Sequence, residues 1–164
     1  PGVGEQACGE VGPGRMLEPL EIVEALEFLM GPPQLRNINV LITAGPTQES
    51  IDPVRYISNH SSGKMGYALA NAASRAGAKV TLISGPTALN CPPGVNRIDV
   101  KTGIEMHEAV HQNLEDQAIF ISAAAVTDYR PAEMAGQKLK STESSITMNC
   151  VKNRDILANK PIVL

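Results

Sequence analysis

Ile38-Asn39-Val40-Leu41-Ile42-Thr43, followed at once by Ala44-Gly45-Pro46-Thr47, is the stretch that decides the fold. An apolar run that stops in a glycine and proline turn is the pattern of a parallel strand buried on both faces. Downstream, Gly63 to Gly77 is rich in alanine, carries Met65, Leu69, Ala72, Ala73 and Ala76 on one stripe, and ends in a glycine at a C-cap position. That predicts a helix packed closely on a sheet. Lys79 to Ser84 reads as a second strand, Asn96 to Val100 as a third, Ile104 to Leu114 as a second helix and Ala118 to Ala123 as a fourth strand. Strand and helix in alternation predict an α/β fold: a doubly wound, Rossmann-like parallel sheet with helices on both faces. After Val126 the pattern weakens into a charged stretch, Asp128 to Ser145, read as a functional loop or lid, with a strand expected over Ile146 to Val151.

Outward from this core the ends look different. Pro1 to Arg15 is rich in glycine and proline without a period and reads as a loop. From Pro19 to Met30 the residues Leu20, Val23, Leu26 and Met30 recur at helical spacing, with Glu18, Glu21, Glu24 and Glu27 on another face. Gly31-Pro32-Pro33 stops this helix, and a domain boundary is expected near Arg36, dividing residues 1–36 from 37–164. Lys160 to Leu164 reads as a strand that begins and runs out of chain, so a fragment is expected.

The chain of 164 residues has 14 Lys and Arg against 17 Asp and Glu, a formal net charge of -3, so no basic excess drives binding to a phosphate backbone. Two Phe, three Tyr and no Trp leave no platform for stacked bases, and nucleic acid is excluded as a partner. No apolar run approaches the ~20 residues needed to span a bilayer, and no secretory pattern opens the chain. A cytoplasmic protein without a membrane partner is expected. Cys8, Cys91 and Cys150 lack the spacing of a disulfide framework or a zinc site.

In a doubly wound sheet, ligands sit beyond the carboxyl ends of the strands at the topological switch point. Two segments are built for that place: the turn Ala44 to Thr47 with the loop to Gly66, and the small-residue run Ser122 to Ala125 leading to Asp128. Ser58-Asn59-His60-Ser61-Ser62-Gly63-Lys64-Met65-Gly66 brings hydroxyls, glycines and a lysine to a helix start, where unpaired N-H groups favour an anion. It departs from the P-loop, because Ser58 replaces the first glycine and Met65 follows the Gly-Lys pair. Capping of the helix by Ser61 or Ser62 is the plainer reading of the same residues.

The run Ile42 to Thr47, then Asp52-Pro53-Val54-Arg55-Tyr56-Ile57-Ser58-Asn59-His60-Ser61-Ser62-Gly63-Lys64-Met65-Gly66, closely resembles phosphopantothenoylcysteine synthetase, the ligase half of a bifunctional bacterial coenzyme A enzyme. The similarity continues through Ala123 to Arg130, Lys138, Lys140 and Val151-Lys152-Asn153, in order over roughly residues 38–156. At the other end, Ala7-Cys8-Gly9-Glu10 and Gly12-Pro13-Gly14-Arg15-Met16 look like the substrate clamp of the partner activity, an FMN-dependent phosphopantothenoylcysteine decarboxylase.

The resemblance implies that CTP activates phosphopantothenate as an acyl-cytidylate and that cysteine then displaces CMP. It implies Lys138, with Ser61, Ser62 and Gly63, for the triphosphate, and Gly45 in the nucleotide loop. Asp128 would stand by the ribose and a magnesium ion, and Ala124 would be small enough to admit the nucleotide. Asn59 would serve the second step and Arg55 the phosphopantothenate anion. Cys8 would be the proton donor of the decarboxylase half, whose FMN this chain alone does not bind. A homodimer, enlarged through the decarboxylase domain, is expected. Where the family commonly has Pro before Asp155, Arg154 stands here, and the family domain continues beyond Leu164. Two alternatives are a nicotinamide-dependent oxidoreductase, which would need an acid near Ser84, and a non-catalytic nucleotide-binding or assembly module.

Overall fold

The computed structural model describes residues 2–5, 9–30, 33–140 and 145–158. In chain order its elements are β1 (Gly2–Glu5), β2 (Val11–Arg15), α1 (Pro19–Met30), β3 (Asn39–Ala44), β4 (Gln48–Ser50), β5 (Tyr56–Ser58), α2 (Lys64–Arg75), β6 (Lys79–Ser84), β7 (Val95–Asp99), α3 (Gly103–Asn113), β8 (Ile119–Ser122), β9 (Tyr129–Pro131) and β10 (Cys150–Lys152).

The apolar run becomes the centre of the molecule. β3 lies between β6 and β8 in a four-stranded sheet of order β7-β6-β3-β8, with every pairing parallel. Both faces of β3 are covered, as an unbroken apolar strand requires. Val40, Ile42 and Ala44 pack with Val80 and Leu82 against Tyr67, Ala70 and Ala73 of α2. Leu41 and Ile83 point the other way, against Met106, Ala109 and Val110 of α3. The expected doubly wound α/β fold is therefore the observed one. The chain leaves β3 toward β6 on one side and returns to β8 on the other, so the switch point falls between the carboxyl ends of β3 and β8.

The stripe of α2 differs from the expected one. Gly66, Tyr67, Ala70, Ala73 and Ser74 are buried, while Met65 is 70% exposed. A Cβ on Gly66 would lie 2.5 Å from the Ala44 Cβ, so the helix approaches β3 more closely than a larger side chain allows. The expected capping by Ser61 or Ser62 is also replaced: the N-cap is Gly63 in the left-handed region, with no side-chain cap bond.

α3 is capped in the usual way. Thr102 Oγ1 accepts from the Glu105 N-H at 3.2 Å, and Glu105 Oε2 accepts from the Thr102 N-H at 3.4 Å. Thr102→Ala is expected to lower stability by about 1 kcal/mol, read as a fall in the urea midpoint with an unchanged slope.

The N-terminal region corrects the loop reading. β1 and β2 form an antiparallel hairpin. Helix α1 has the expected bounds, and Arg75 pairs with its Glu27. Yet Leu20 and Met30 are 77% and 81% exposed, so its apolar stripe is not sunk into the sheet domain. The strand expected over Ile146 to Val151 is shorter and later, β10, paired antiparallel with β9. Cys8, residues 31–32 and the strand expected at Lys160 to Leu164 lie outside the described residues. No helix among the described residues is long and apolar enough to cross a membrane.

Candidate functional site

Two loops meet beyond the carboxyl end of β3. The Ala125 N-H donates to the Gly45 carbonyl at 2.9 Å, and the Thr47 N-H donates to the Ala125 carbonyl at 3.1 Å. Gly45 and Gly63 touch as well, since a Cβ on Gly63 would lie 3.2 Å from the Gly45 Cα. The start of α2, the turn after β3 and the run after β8 therefore share one place. The absence of a side chain at Gly45 and Gly63 permits that closeness.

On the α2 side, the Ser58 hydroxyl donates to the Thr47 carbonyl at 2.7 Å, and the Ser61 N-H donates to the Asn59 carbonyl at 2.9 Å. The loop is thereby folded back on the turn, leaving Asn59, His60 and Ser62 exposed and Ser61 half-buried. Ser61 Oγ accepts only a long bond, 3.3 Å, from Gly63 N-H ahead of the helix. With no side-chain cap, the first turn of α2 offers its backbone donors to an anion.

On the β8 side, Ala124 and Asp128 line a cavity of about 330 Å³ together with Lys152, Asn153, Arg154 and Asp155. Thr127 and Asn153, which also line it, belong to a buried polar network that the sequence did not reveal. Glu49, 2% exposed, accepts from the Gly103 N-H at 2.8 Å and from Thr127 Oγ1 at 3.1 Å. Asn153 donates to the Thr127 carbonyl at 2.8 Å, and its N-H donates to the Asp128 carbonyl at 2.7 Å. Arg130 donates to Asn153 Oδ1 at 3.1 Å. Buried polar groups satisfied in this way fix the loop backbone around Asp128. Its signal in the sequence was the Val151-Lys152-Asn153 stretch, which carries one member.

Arg55, which the resemblance gives to the phosphopantothenate anion, is held within the protein by Asp52 and Leu139. Its Nε and Nη2 donate to Asp52 Oδ2 at 3.0 and 2.7 Å, and Nη2 also donates to the Leu139 carbonyl at 3.0 Å. Lys138 is exposed on the neighbouring backbone. Asp52 is 2% exposed and accepts in addition from the Val54 and Arg55 N-H groups, each at 2.8 Å. The Arg55 guanidinium, aided by these backbone donors against the cost of burial, holds the Asp52 carboxyl well below the usual carboxylate range. A depressed folded value stabilises the protein fully above the unfolded value of about 4 and loses that stabilisation as pH falls through the folded value. The stability gap between the protein and Asp52→Asn is therefore expected to be constant above about pH 5 and to shrink in stronger acid, as urea midpoints measured across pH would show.

Fold and site together define a doubly wound α/β domain with a candidate ligand cleft at its switch point. Residues 35–161 match the DNA/pantothenate metabolism flavoprotein C-terminal domain, and the chain belongs to that family. It is 59% identical over 161 residues to the coenzyme A biosynthesis bifunctional protein CoaBC of Vibrio vulnificus (strain YJ016), covering 97% of this chain and 40% of that protein. To the CoaBC of Escherichia coli (strain K12) it is 54% identical over 162 residues, covering 96% and 40%. The chain thus spans 40% of the length of these relatives. The crystal structure of the C-terminal domain of a CoaBC protein superposes with a TM-score of 0.67 at 44% identity, covering 76% of this chain and 58% of that one.

Proposed function

We propose that the domain from residue 37 onward performs the CTP-dependent joining of phosphopantothenate and cysteine in coenzyme A biosynthesis. The observation that supports this most directly is the uncapped first turn of α2 beside Gly45, at the sheet end that also holds the Ala124 and Asp128 cavity. In the first step a carboxylate oxygen of phosphopantothenate bonds to the α phosphorus of CTP and pyrophosphate leaves. Ser61, Ser62, Gly63 and Gly45 hold the phosphates through backbone and hydroxyl donors, and Lys138 offsets the charge that builds on the leaving group. Ala124 leaves room for the nucleoside, and Asp128 accepts from its ribose. In the second step the cysteine amine attacks the acyl carbon and CMP leaves, with the neutral amide of Asn59 donating to the tetrahedral oxygen.

Among the described residues no group of three or more His, Cys, Asp or Glu is placed to hold a metal ion. One carboxylate still suits magnesium, which is commonly shared between one or two carboxylates and substrate phosphates. Asp128 is the residue that would hold it, and the ion would neutralise triphosphate charge. Residues 1–36 form the tail of a decarboxylase domain, with Cys8 as its proton donor and FMN held by that domain's remaining body. The assembly is a homodimer, joined further through the decarboxylase part.

Calorimetric titration with CTP, ATP and NAD in the presence of magnesium tests this reading. Selective binding of CTP, with pyrophosphate released on adding phosphopantothenate, is the expected result. Binding of NAD in place of CTP would overturn it.

A further inference from the structure

The Asp52 carboxylate does more than close its own turn. Oδ1 takes the Val54 and Arg55 N-H groups, but Oδ2 accepts from the N-H of Leu139 at 3.1 Å, far along the chain. Arg55, bound to the same oxygen, donates to the Leu139 carbonyl at 3.0 Å. Both backbone groups of one residue are thus fixed by a single ion pair. The Ala135 N-H donates to the Ile51 carbonyl at 3.0 Å, so the segment is held at two points with Lys138 between them. These bonds involve backbone atoms of the segment and fix where the chain runs. They leave the Lys138 side chain exposed and available to a ligand.

We propose that Asp52 is a positioning residue: acting through Arg55 and Leu139, it sets the backbone that presents Lys138 to the triphosphate. The proposal rests on the ligase reading above and adds to it the group that keeps the lysine in place. A lysine on an unanchored loop would spend much of its time away from the reacting phosphate, and misplacement by about 1 Å costs up to ~10²-fold in rate. Because the Asp52 carboxylate is buried and both its oxygens are taken by donors of the protein, its loss slows turnover and leaves ground-state nucleotide affinity nearly unchanged.

The test compares the protein with Asp52→Asn, Lys138→Gln and the double variant. In Asp52→Asn the Leu139 amide is expected to exchange with solvent about tenfold faster or more, while amides of β3 and β6 keep their protection. Its kcat for pyrophosphate release falls by about 10 to 10²-fold, with KM for CTP held within about twofold. The double variant is no slower than Lys138→Gln, since the two changes remove one function. Unchanged Leu139 exchange, or a double variant slower by the full product of the single effects, overturns the proposal. If Lys138→Gln slows release and Asp52→Asn does not, the positioning role alone is wrong. If Lys138→Gln itself leaves kcat unchanged, Lys138 has no part in pyrophosphate release and the positioning role fails with it, whereas absence of CTP-dependent pyrophosphate release from the unaltered protein would overturn the ligase reading. Should Asp52→Asn fail to fold, Asp52→Glu gives the same comparison, because it keeps the charge that pairs with Arg55 while the extra methylene moves the carboxylate off the Leu139 N-H.

Discussion

With the proposed CTP-dependent activity, Lys138→Gln is expected to slow pyrophosphate release about 10² to 10³-fold while KM for CTP changes far less. Glutamine keeps most of the reach and a hydrogen-bond donor, and what it lacks is the positive charge. Charge builds on the leaving pyrophosphate as the bond to the α phosphorus breaks, so the missing interaction belongs mainly to the transition state. The loss corresponds to about 3–4 kcal/mol of barrier. Asn59→Ala supplies the contrast, because an amide donor at the tetrahedral oxygen matters only after cysteine arrives. That variant should release pyrophosphate at nearly the normal rate without cysteine, accumulate the acyl-cytidylate, and form product about 10² to 10³-fold more slowly. Measuring pyrophosphate and final product separately distinguishes the two steps. Equal slowing of pyrophosphate release by both variants would show that the division of roles is wrong.

The sheet was legible because burial on both faces leaves its mark in composition. Ile38 to Thr43 is apolar without alternation, and Leu41 and Ile42 are fully buried on opposite sides. Where hydropathy and packing diverge, the sequence pointed elsewhere. The buried residues of α2 are Gly66, Tyr67, Ala70, Ala73 and Ser74, four of them small, whereas the apolar Met65 stands in solvent. The β1–β2 hairpin gave no period because backbone pairing between glycine-containing strands defines it. In the site, the glycines at a strand end and a helix start were visible, but that Gly45 and Gly63 meet depends on the fold. The Glu49, Thr127 and Asn153 network was not visible, because residues so far apart meet only after the sheet has formed. Asp52 had a local signal, an aspartate followed by proline with arginine three positions on, which marks a turn. Its bond to Leu139 depends on tertiary contact and leaves no trace in spacing.

Gly63→Ala is expected to destabilise the domain by about 2–5 kcal/mol, from backbone strain and overpacking together. Gly63 has φ +74, a region that costs an L-residue about 1–2 kcal/mol. The added Cβ would also lie 2.8 Å from Thr87 Cγ2 and 3.2 Å from the Gly45 Cα. The threonine methyl belongs to a side chain that can shift. Gly45 is backbone, tied to Ala125 by its carbonyl, and gives way only by moving the turn after β3. Both contacts therefore act on the cleft that the proposed nucleotide would occupy. Thr87→Ser separates the causes: it removes the methyl and keeps the hydroxyl that donates to Tyr67 Oη at 3.2 Å. Added to Gly63→Ala, it should recover the methyl part of the loss and leave the larger remainder, seen as an incomplete return of the urea midpoint. Complete recovery would mean that side-chain crowding, and not the left-handed backbone against Gly45, is what requires glycine here. CTP affinity measured on the same two variants, at temperatures where both stay folded, should follow the stability pattern if this turn is the floor of the proposed phosphate site.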